Sequence, residues 1–223
     1  PDDGGDTGLP VVEAPVTQLA TGGVLAGRAI TVSWSATDES GIDRYKLQRS
    51  IDGASWQPIE LASRTSTEVT LGIRDGRSYR FRVRAQDGDG YWSTFRTGVS
   101  FRAEVIQAQE SNLAGGKWRE DRDSTASGDY TRFAVTEGAR STLTFTGSAI
   151  ALVAPRGPDR GEARILIDGK EVAVIDLQAP SKSPRQLVFM RTWEGSVERT
   201  IQVVVMGTAG RPRVDVDAYL VLD

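Results

Sequence analysis

The amino-acid sequence predicts an all-β protein made of two antiparallel β-sandwiches. Short stretches of alternating apolar and polar residues recur along the chain, as strands with one buried face require. Turn signals such as Asp52-Gly53 and Asp168-Gly169 separate these stretches, and no stretch holds the period of an amphipathic helix. The length of 223 residues suits two domains of roughly 100–120 residues each.

The first half of the chain carries the clearest alternation. Residues 29–36 place Ile30, Val32 and Trp34 on one face of a strand and hydroxyl side chains on the other. Residues 79–85 alternate most regularly, because an arginine stands at every second position. The strands predicted in this half are residues 29–36, 42–51, 56–61, 68–73, 79–85 and 97–102.

A second set of short strands follows residue 105. Thr146-Gly147 is predicted to divide two of them, and the residues between Met190 and Gly195 are predicted to form a loop. The strands predicted in this half are residues 141–145, 149–153, 164–167, 171–177, 186–190, 200–206 and 214–222.

The N-terminal residues predict a linker. Residues 1–10 are rich in Gly, Asp and Pro and have almost nothing to bury, which fits a piece taken from a longer protein. We therefore divide the chain into a flexible linker at residues 1–14, a first domain at 15–104 and a second at 105–223. A short connection near Arg102–Ile106 joins the two domains.

Composition excludes several classes of function. The chain has no Cys and no His, which removes disulfides, thiolate or imidazole metal sites and Ser-His-Asp catalysis. The net charge of −3 argues against nucleic acid as a partner, and no apolar run reaches the roughly 20 residues of a membrane span. No pair of carboxylates stands out as a catalytic acid and base. We predict a protein that is not an enzyme.

The first half resembles a fibronectin type III domain, an immunoglobulin-like sandwich. The resemblance rests on Val32-Ser33-Trp34, on Tyr45 through Ser50 and on Leu71 through Ala85. It implies that Trp34 is the core tryptophan and that Tyr79 is the tyrosine corner, whose hydroxyl bonds back to the main chain.

The second half resembles the galactose-binding-like jelly roll of carbohydrate-binding modules and of tails of secreted bacterial enzymes. The segments that carry the resemblance are Thr142 through Gly147, Gly161 through Gly169, Ile201 through Thr208 and Val214 through Tyr219. It implies a secreted or cell-surface protein that binds a polysaccharide or another glycan.

Aromatic side chains are the first candidates for a sugar site, because the C–H face of a pyranose stacks on an aromatic ring. Trp118, Tyr130 and Trp193 are the candidates, and Trp193 is expected in a loop with an exposed face. The alternative is that these rings fill the core, as large aromatic side chains usually do. Tyr219 alternates with Val221, which favours the core for that ring.

Arginines in the loop from Ala154 to Gly161 are further candidates. Arg156 and Arg160 could hold an acidic sugar through bidentate guanidinium contacts. The alternative is a solvated loop that braces itself with Arg–Asp pairs.

A structural calcium ion is a further implication of the jelly-roll resemblance. Such modules bind Ca²⁺ through oxygen ligands from their first and last strands, which here offer Gln109, Glu110, Asp215 and Asp217. Gln109 stands where the family commonly has Glu, so one carboxylate is lost. The alternative is a set of solvated strand-end carboxylates.

The preferred function is therefore a non-catalytic module pair, in which the second domain binds carbohydrate and the first is a spacer. One alternative is a structural or adhesive module that contacts other proteins through its sheet edges. Another is an accessory tail of a longer secreted hydrolase, with other domains of the parent chain as partners.

Overall fold

The structure, a computed structural model, describes residues 8–25 and 28–223, with no side-chain detail for Arg28. Antiparallel strands and turns make up nearly all of the described part, together with 3-10 helices at Ala108–Glu110 and Ser127–Asp129. The predicted all-β class of two antiparallel sandwiches is confirmed.

Strands are numbered in chain order. The first ten are β1 (Val11–Val12), β2 (Val16–Val24), β3 (Arg28–Ser33), β4 (Ala36–Thr37), β5 (Ile42–Ile51), β6 (Gln57–Ile59), β7 (Glu68–Leu71), β8 (Ser78–Asp87), β9 (Arg96–Thr97) and β10 (Phe101–Gln107). They are followed by β11 (Asn112–Ala114), β12 (Arg119–Arg122), β13 (Tyr130–Ala134), β14 (Arg140–Arg156), β15 (Glu162–Ile167), β16 (Lys170–Asp176), β17 (Ser183–Val205), β18 (Val214–Val216) and β19 (Ala218–Leu222).

The strands fall into two compact units. The first holds the chain up to Gln18 together with Ile30–Leu71 and Arg77–Arg102. The second holds Leu19–Ala29, Gly72–Gly76 and Ala103–Asp223. The residues predicted to connect the domains, 102–106, lie within strand β10.

Two groups of strands build the first unit. Strand β8 pairs with β5 along almost its full length, while β6 adds to β5 and β9 to β8. Strand β3 pairs with β7. Alternation explains the packing, since β8 turns Tyr79, Phe81 and Val83 inward, where each is at most 3% exposed.

Trp34 lies in the core of this unit. It is buried, and its ring meets that of Tyr45 edge-on at 6.0 Å, a geometry that aromatic pairs favour. Tyr79 is buried as well and stacks on Phe101 at 5.7 Å. The predicted core position of Trp34 is confirmed.

The predicted N-terminal linker extends too far. Residues 1–7 lie outside the described part of the chain, but Val11 and Val12 form strand β1 and pair with Thr37 and Ala36. Val12 is buried because it belongs to the apolar core. The prediction of a flexible linker through residue 14 is therefore wrong for this strand.

Strands β14 and β17 are the framework of the second unit. They pair along most of their length, and β14 also pairs with β11 and β19, while β17 pairs with β15. Strands β12, β13 and β18 form a separate three-stranded sheet. Buried residues of both sheets share one core cluster, which includes Tyr219 and Ile150.

Gly147 is an irregularity within β14, not a turn between two strands. The register shifts between Gly147 and Ala149, which marks a bulge. A Cβ on Gly147 would lie 2.6 Å from Val221 Cγ1 and 2.8 Å from the Leu222 carbonyl oxygen, so only glycine lets the chains approach here. The predicted division at Thr146-Gly147 is wrong for this reason.

The predicted loop around Trp193 is an insertion inside strand β17. Thr192 pairs with Ala149 and Val197 pairs with Gly147. The four residues from Trp193 to Ser196 therefore stand opposite the single residue Ser148, and the strand resumes after them.

We expect Trp34→Ala to destabilise the first unit by about 3–5 kcal/mol, because it leaves a cavity in the core. Chemical denaturation of the full chain would measure this loss. Tyr91→Ala is the control, since Tyr91 is 48% exposed and should change stability by less than about 0.5 kcal/mol. An unchanged transition in Trp34→Ala would contradict the assigned core.

Candidate functional site

Asp215 is a fully buried carboxylate held between two guanidinium groups. Its Oδ2 accepts a hydrogen bond from Arg160 Nε at 3.0 Å, and Arg213 Nε donates to both carboxylate oxygens at 2.9 and 3.1 Å. Thr131 Oγ1 donates a further bond at 3.2 Å. Because the Asp215 carboxylate lies away from water, its partners are needed to offset the cost of burying its charge.

Arg213 links Asp215 to the surface. A terminal nitrogen bonds Asp121 at 2.5 Å, and the guanidinium lies 3.9 Å from the centre of the Phe133 ring. Burial works to lower the pKa of Arg213, but hydrogen bonds and charge from Asp215 and Asp121 outweigh it and raise that pKa. Arg213 therefore stays charged.

Arg160 belongs to the loop that follows β14 and anchors it. Besides Asp215, it pairs with Asp159 on the same loop. Gly161 brings this loop against the chain near residue 211, where a Cβ would lie only 2.2 Å from the Arg211 carbonyl oxygen. The Gly161 N–H donates to the Arg213 carbonyl at 2.8 Å. The backbone thus places the loop beside the buried carboxylate.

This loop forms one wall of an open cleft of about 740 Å³. The opposite wall is the end of β16 and the residues after it, tied on by backbone bonds of Gly157 to Leu177 and Ala179. The lining residues are Arg156, Pro158, Val174, Ile175, Asp176, Gln178, Ala179 and Pro180.

The polar side chains of the cleft differ in whether they already have hydrogen-bond partners within the protein. Arg211 donates two bonds to Asp176, at 2.5 and 3.0 Å, and these bonds lower the pKa of that carboxyl. Within the described residues, the side chains of Arg156 and Gln178 make no hydrogen bond. The cleft therefore offers a free guanidinium and a free amide beside apolar surface from Val174 and the prolines.

The aromatic candidates lie elsewhere. Trp118 is half-buried against the core and donates to the Ala114 carbonyl at 3.3 Å, and Tyr130 lies under the Arg122 guanidinium at 5.6 Å. Tyr219 is fully buried and hydrogen-bonds Ser141, which agrees with the core position expected for it. None of these rings lines the cleft.

Trp193 differs from its predicted exposed position. Its ring lies 6.1 Å from Phe145 on the core side, and the Arg199 guanidinium lies 4.5 Å from its centre. The ring is half-buried. The prediction of an exposed platform is therefore wrong, because other side chains pack on the indole.

The four predicted calcium ligands do not assemble into a metal site. Asp215 is committed to two arginines, Gln109 is exposed, and Glu110 accepts the Gln107 N–H at 2.9 Å. Among the residues at 8–25 and 28–223, no group of three or more acidic side chains could hold a metal ion. The side chains at these positions do not fit calcium.

Asp217 is a predicted ligand with a buried oxygen that has no hydrogen-bond partner among the described residues. Its Oδ1 accepts the Ser127 N–H at 2.8 Å, while Oδ2 is buried without a partner. Burial raises the pKa of Asp217 to about 7, although the Ser127 bond and the charge of Arg185 oppose it. The pKa of neighbouring Asp123 is shifted in the opposite direction. Burial would raise its pKa, but bonds from Lys182 and Thr125 hold it at about 2.

Sequence reasoning located the loop but not its partners. Arg156 lines the cleft, whereas Arg160 is buried and pairs with Asp159 and Asp215. The sequence did not predict Asp176 and Gln178 as cleft residues, because no sequence pattern distinguishes a strand end that lines a cleft from one that does not. The i, i+2 spacing of Arg213 and Asp215 was a usable signal, since it puts both on one face of a strand.

We expect Asp215→Asn to cost about 3–5 kcal/mol of stability, because it leaves the buried guanidinium of Arg160 and the half-buried guanidinium of Arg213 short of a counter-charge. Asp121→Asn is the matched control. It also removes a partner of Arg213, but its side chain is 44% exposed, so the expected loss is about 0–1 kcal/mol. Equal melting temperatures for the two variants would contradict the role given to Asp215.

We expect Asp217→Asn to stabilise the protein increasingly between about pH 4 and pH 7. In this range the unfolded chain has lost the Asp217 proton while the folded protein keeps it, since the folded pKa is about 7. The contribution of Asp217 to wild-type stability therefore falls as pH rises through the window. Asparagine still accepts the Ser127 bond and has no such proton.

Thermal melting of both proteins at several pH values tests this expectation. Asp123→Asn is the control with the opposite sign, because that carboxyl has a depressed pKa of about 2 and stabilises the fold at neutral pH. A gain for Asp217→Asn that does not change with pH would argue against a buried proton.

The first half of the chain matches a known domain family. Residues 15–99 match the model of the fibronectin type III domain. No curated protein sequence matches the chain. Within the described residues, no helix has the length and apolar character of a membrane-spanning segment.

Solved structures with a similar arrangement of strands include carbohydrate-binding modules. The CBM36-1 domain of a multidomain xylanase from the hindgut metagenome of Trinervitermes trinervoides is 11% identical, with a TM-score of 0.42 over 55% of this chain and 97% of that one. A CBM36 module in complex with calcium and xylotriose is 9% identical, with a TM-score of 0.39 over 53% of this chain and 98% of that one.

An enzyme structure is similar over a smaller share of its length. The GH26-CBM35 β-(1,4)-mannanase of Podospora anserina is 12% identical, with a TM-score of 0.41, and the match spans 54% of this chain and 28% of that one. For the first half, the strand order, the buried Trp34 and Tyr79 and the family match together identify residues 15–99 as a fibronectin type III domain.

Proposed function

We propose that this chain is a non-catalytic module pair of a secreted or surface-attached bacterial protein, and that its second unit binds carbohydrate. The fibronectin type III domain serves as a spacer. The observation that carries this proposal is the open cleft between the loop after β14 and the end of β16, where the Arg156 and Gln178 side chains make no hydrogen bond to any residue that the structure describes.

The cleft has the mixed character that a sugar requires. Its volume of about 740 Å³ lies within the range of about 300–1,000 Å³ of small-molecule sites. Arg156, Asp176 and Gln178 can exchange hydrogen bonds with hydroxyl groups, while Pro158 and Pro180 offer apolar surface to the C–H face of a ring.

Charge pairing argues against catalysis in this cleft. The bonds from Arg211 lower the pKa of Asp176, which removes this carboxyl as a proton donor near neutral pH. Asp159, on the loop next to the cleft, is similar, since burial would raise its pKa but the bond and charge of Arg160 lower it. A binding role uses these groups as they are.

We expect the full chain to bind an oligosaccharide on a glycan array, and Arg156→Gln with Gln178→Ala to weaken that binding by about ten-fold or more. Each substitution removes a bond of roughly 1 kcal/mol or above. Titration calorimetry with the best array ligand would measure the loss. Arg164→Gln is the control, since Arg164 lies on β15, is 45% exposed and pairs with Glu171 away from the cleft.

The same titration with calcium and with EDTA tests whether sugar binding requires a metal ion. Equal affinity in both is expected, because the predicted ligand side chains do not assemble. Binding lost in EDTA would reverse this view of the site. A blank array on a folded protein would overturn the carbohydrate proposal and favour contact with other proteins.

A further inference from the structure

The outer face of the first unit carries a row of alternating cations and aromatic rings. Strand β8 turns Tyr79, Phe81 and Val83 into the core, so Arg82 and Arg84 stand on the opposite face. Rings from other segments of the same unit lie against these arginines. We call this row the cation ladder, and in order it contains Trp56, Arg82, Phe95, Arg84, Trp92 and Lys46.

Each cation of the ladder lies 4.2–4.8 Å from the centres of its neighbouring rings. The Arg82 guanidinium lies 4.4 Å from the centre of the Trp56 ring and 4.2 Å from that of Phe95. Arg84 lies 4.8 Å from Phe95 and 4.4 Å from Trp92. Lys46 Nζ ends the row, 4.8 Å from the centre of the Trp92 ring. Such contacts hold a cation at a fixed place without neutralising it.

The ladder has no carboxylate of its own. Within the described residues, Arg84 makes no hydrogen bond, and its Nε is buried without a partner. Arg82 Nε donates only to the neutral Gln48 side chain, at 2.7 Å. Glu60 lies beside Lys46, yet in the part of the chain that the structure describes none of the ladder cations has an ion-pair partner within 4 Å. The charges are fixed in place and unpaired.

We propose that the cation ladder binds a linear acidic polysaccharide, with carboxylate or sulfate groups received by Arg82, Arg84 and Lys46. The rings lie 4.2–4.8 Å from the Arg82 and Arg84 guanidinium groups, whose terminal nitrogens can donate hydrogen bonds to an anion. Arg82 and Arg84 are two residues apart on one strand, about 7 Å along it. A polymer with regularly repeated charges matches such a row.

Charge and stacking favour a polysaccharide over a nucleic acid. A single-stranded nucleic acid needs open aromatic faces for its bases, but the faces of Phe95 and Trp92 are already taken by cations. The chain also has a net charge of −3, which disfavours extended phosphate binding. This site is on the first unit and does not depend on the cleft.

Affinity electrophoresis of the full chain tests the proposal. The gels contain polygalacturonate, dextran sulfate or neutral dextran, and single-stranded DNA is tested as a competitor. We expect retardation by one or both acidic polymers, loss of it at high salt, and none with dextran. Retardation by polygalacturonate alone would assign the ligand groups as carboxylates, and by dextran sulfate alone as sulfates.

Arg84→Gln should weaken retention by about ten-fold, as expected for a lost charged hydrogen bond. Arg44→Gln is the matched control, because it removes the same charge from β5, where Arg44 already pairs with Asp43 at 2.9 Å. It should change retention by less than about two-fold. Arg164→Gln, which removes the same charge from β15 of the second unit outside the cleft, should also leave retention unchanged.

Arg84→Lys covers the case in which Arg84→Gln fails to fold. It keeps the charge but loses the bidentate fork, so it should bind more weakly than the wild type. The proposal would be overturned if neither acidic polymer retained the protein, or if Arg44→Gln and Arg84→Gln lost retention equally. Unchanged retention of Arg84→Lys would also overturn it. So would DNA that displaces the protein when its phosphate concentration is lower than the concentration of acidic groups needed with either polymer.

Discussion

The buried charge of Asp215 is the constraint on which the cleft depends. A carboxylate with no exposure is stable only if the protein supplies its counter-charges. Arg160 brings one of them from the loop after β14, and that loop is also the wall that carries Arg156. Gly161 permits the close backbone approach that this bond requires. The Arg160–Asp215 pair therefore positions the Arg156 guanidinium, although Arg156 is not part of that pair.

The two units hold arginine in different ways, and the difference decides which arginines can meet a ligand. Arg160 and Arg213 are bonded to carboxylates, so their N–H groups are occupied. Arg82 and Arg84 lie against aromatic rings, which restrict the side chains and leave charge unpaired. A chain with net charge −3 can thus still present a local cationic surface. Net charge alone describes the solvent-averaged field and not such a surface.

Local patterns predicted strands well where a strand has one buried face. The alternation from Tyr79 to Ala85 set the inward residues of β8, and Asp52-Gly53 turned the chain as expected, with φ of 51° and 75°. Glycine was ambiguous at Gly147, because it serves a bulge as readily as a turn. The cleft could not be predicted in the same way. Asp176 meets Arg211 across 35 positions of sequence, and only the strand register brings such residues together.

The acidic pair near the last strand shows why a resemblance in sequence does not carry a metal site with it. Asp123 and Asp217 are close enough to raise each other's cost of ionisation, which is where a divalent cation would normally help. Lys182 bonds Asp123 at 2.7 Å instead. An ammonium group balances one negative charge and not two. Burial is the main reason that the pKa of Asp217 rises to about 7; the Ser127 bond and the charge of Arg185 oppose the rise, and the negative charges of Asp123 and Asp215 add to it.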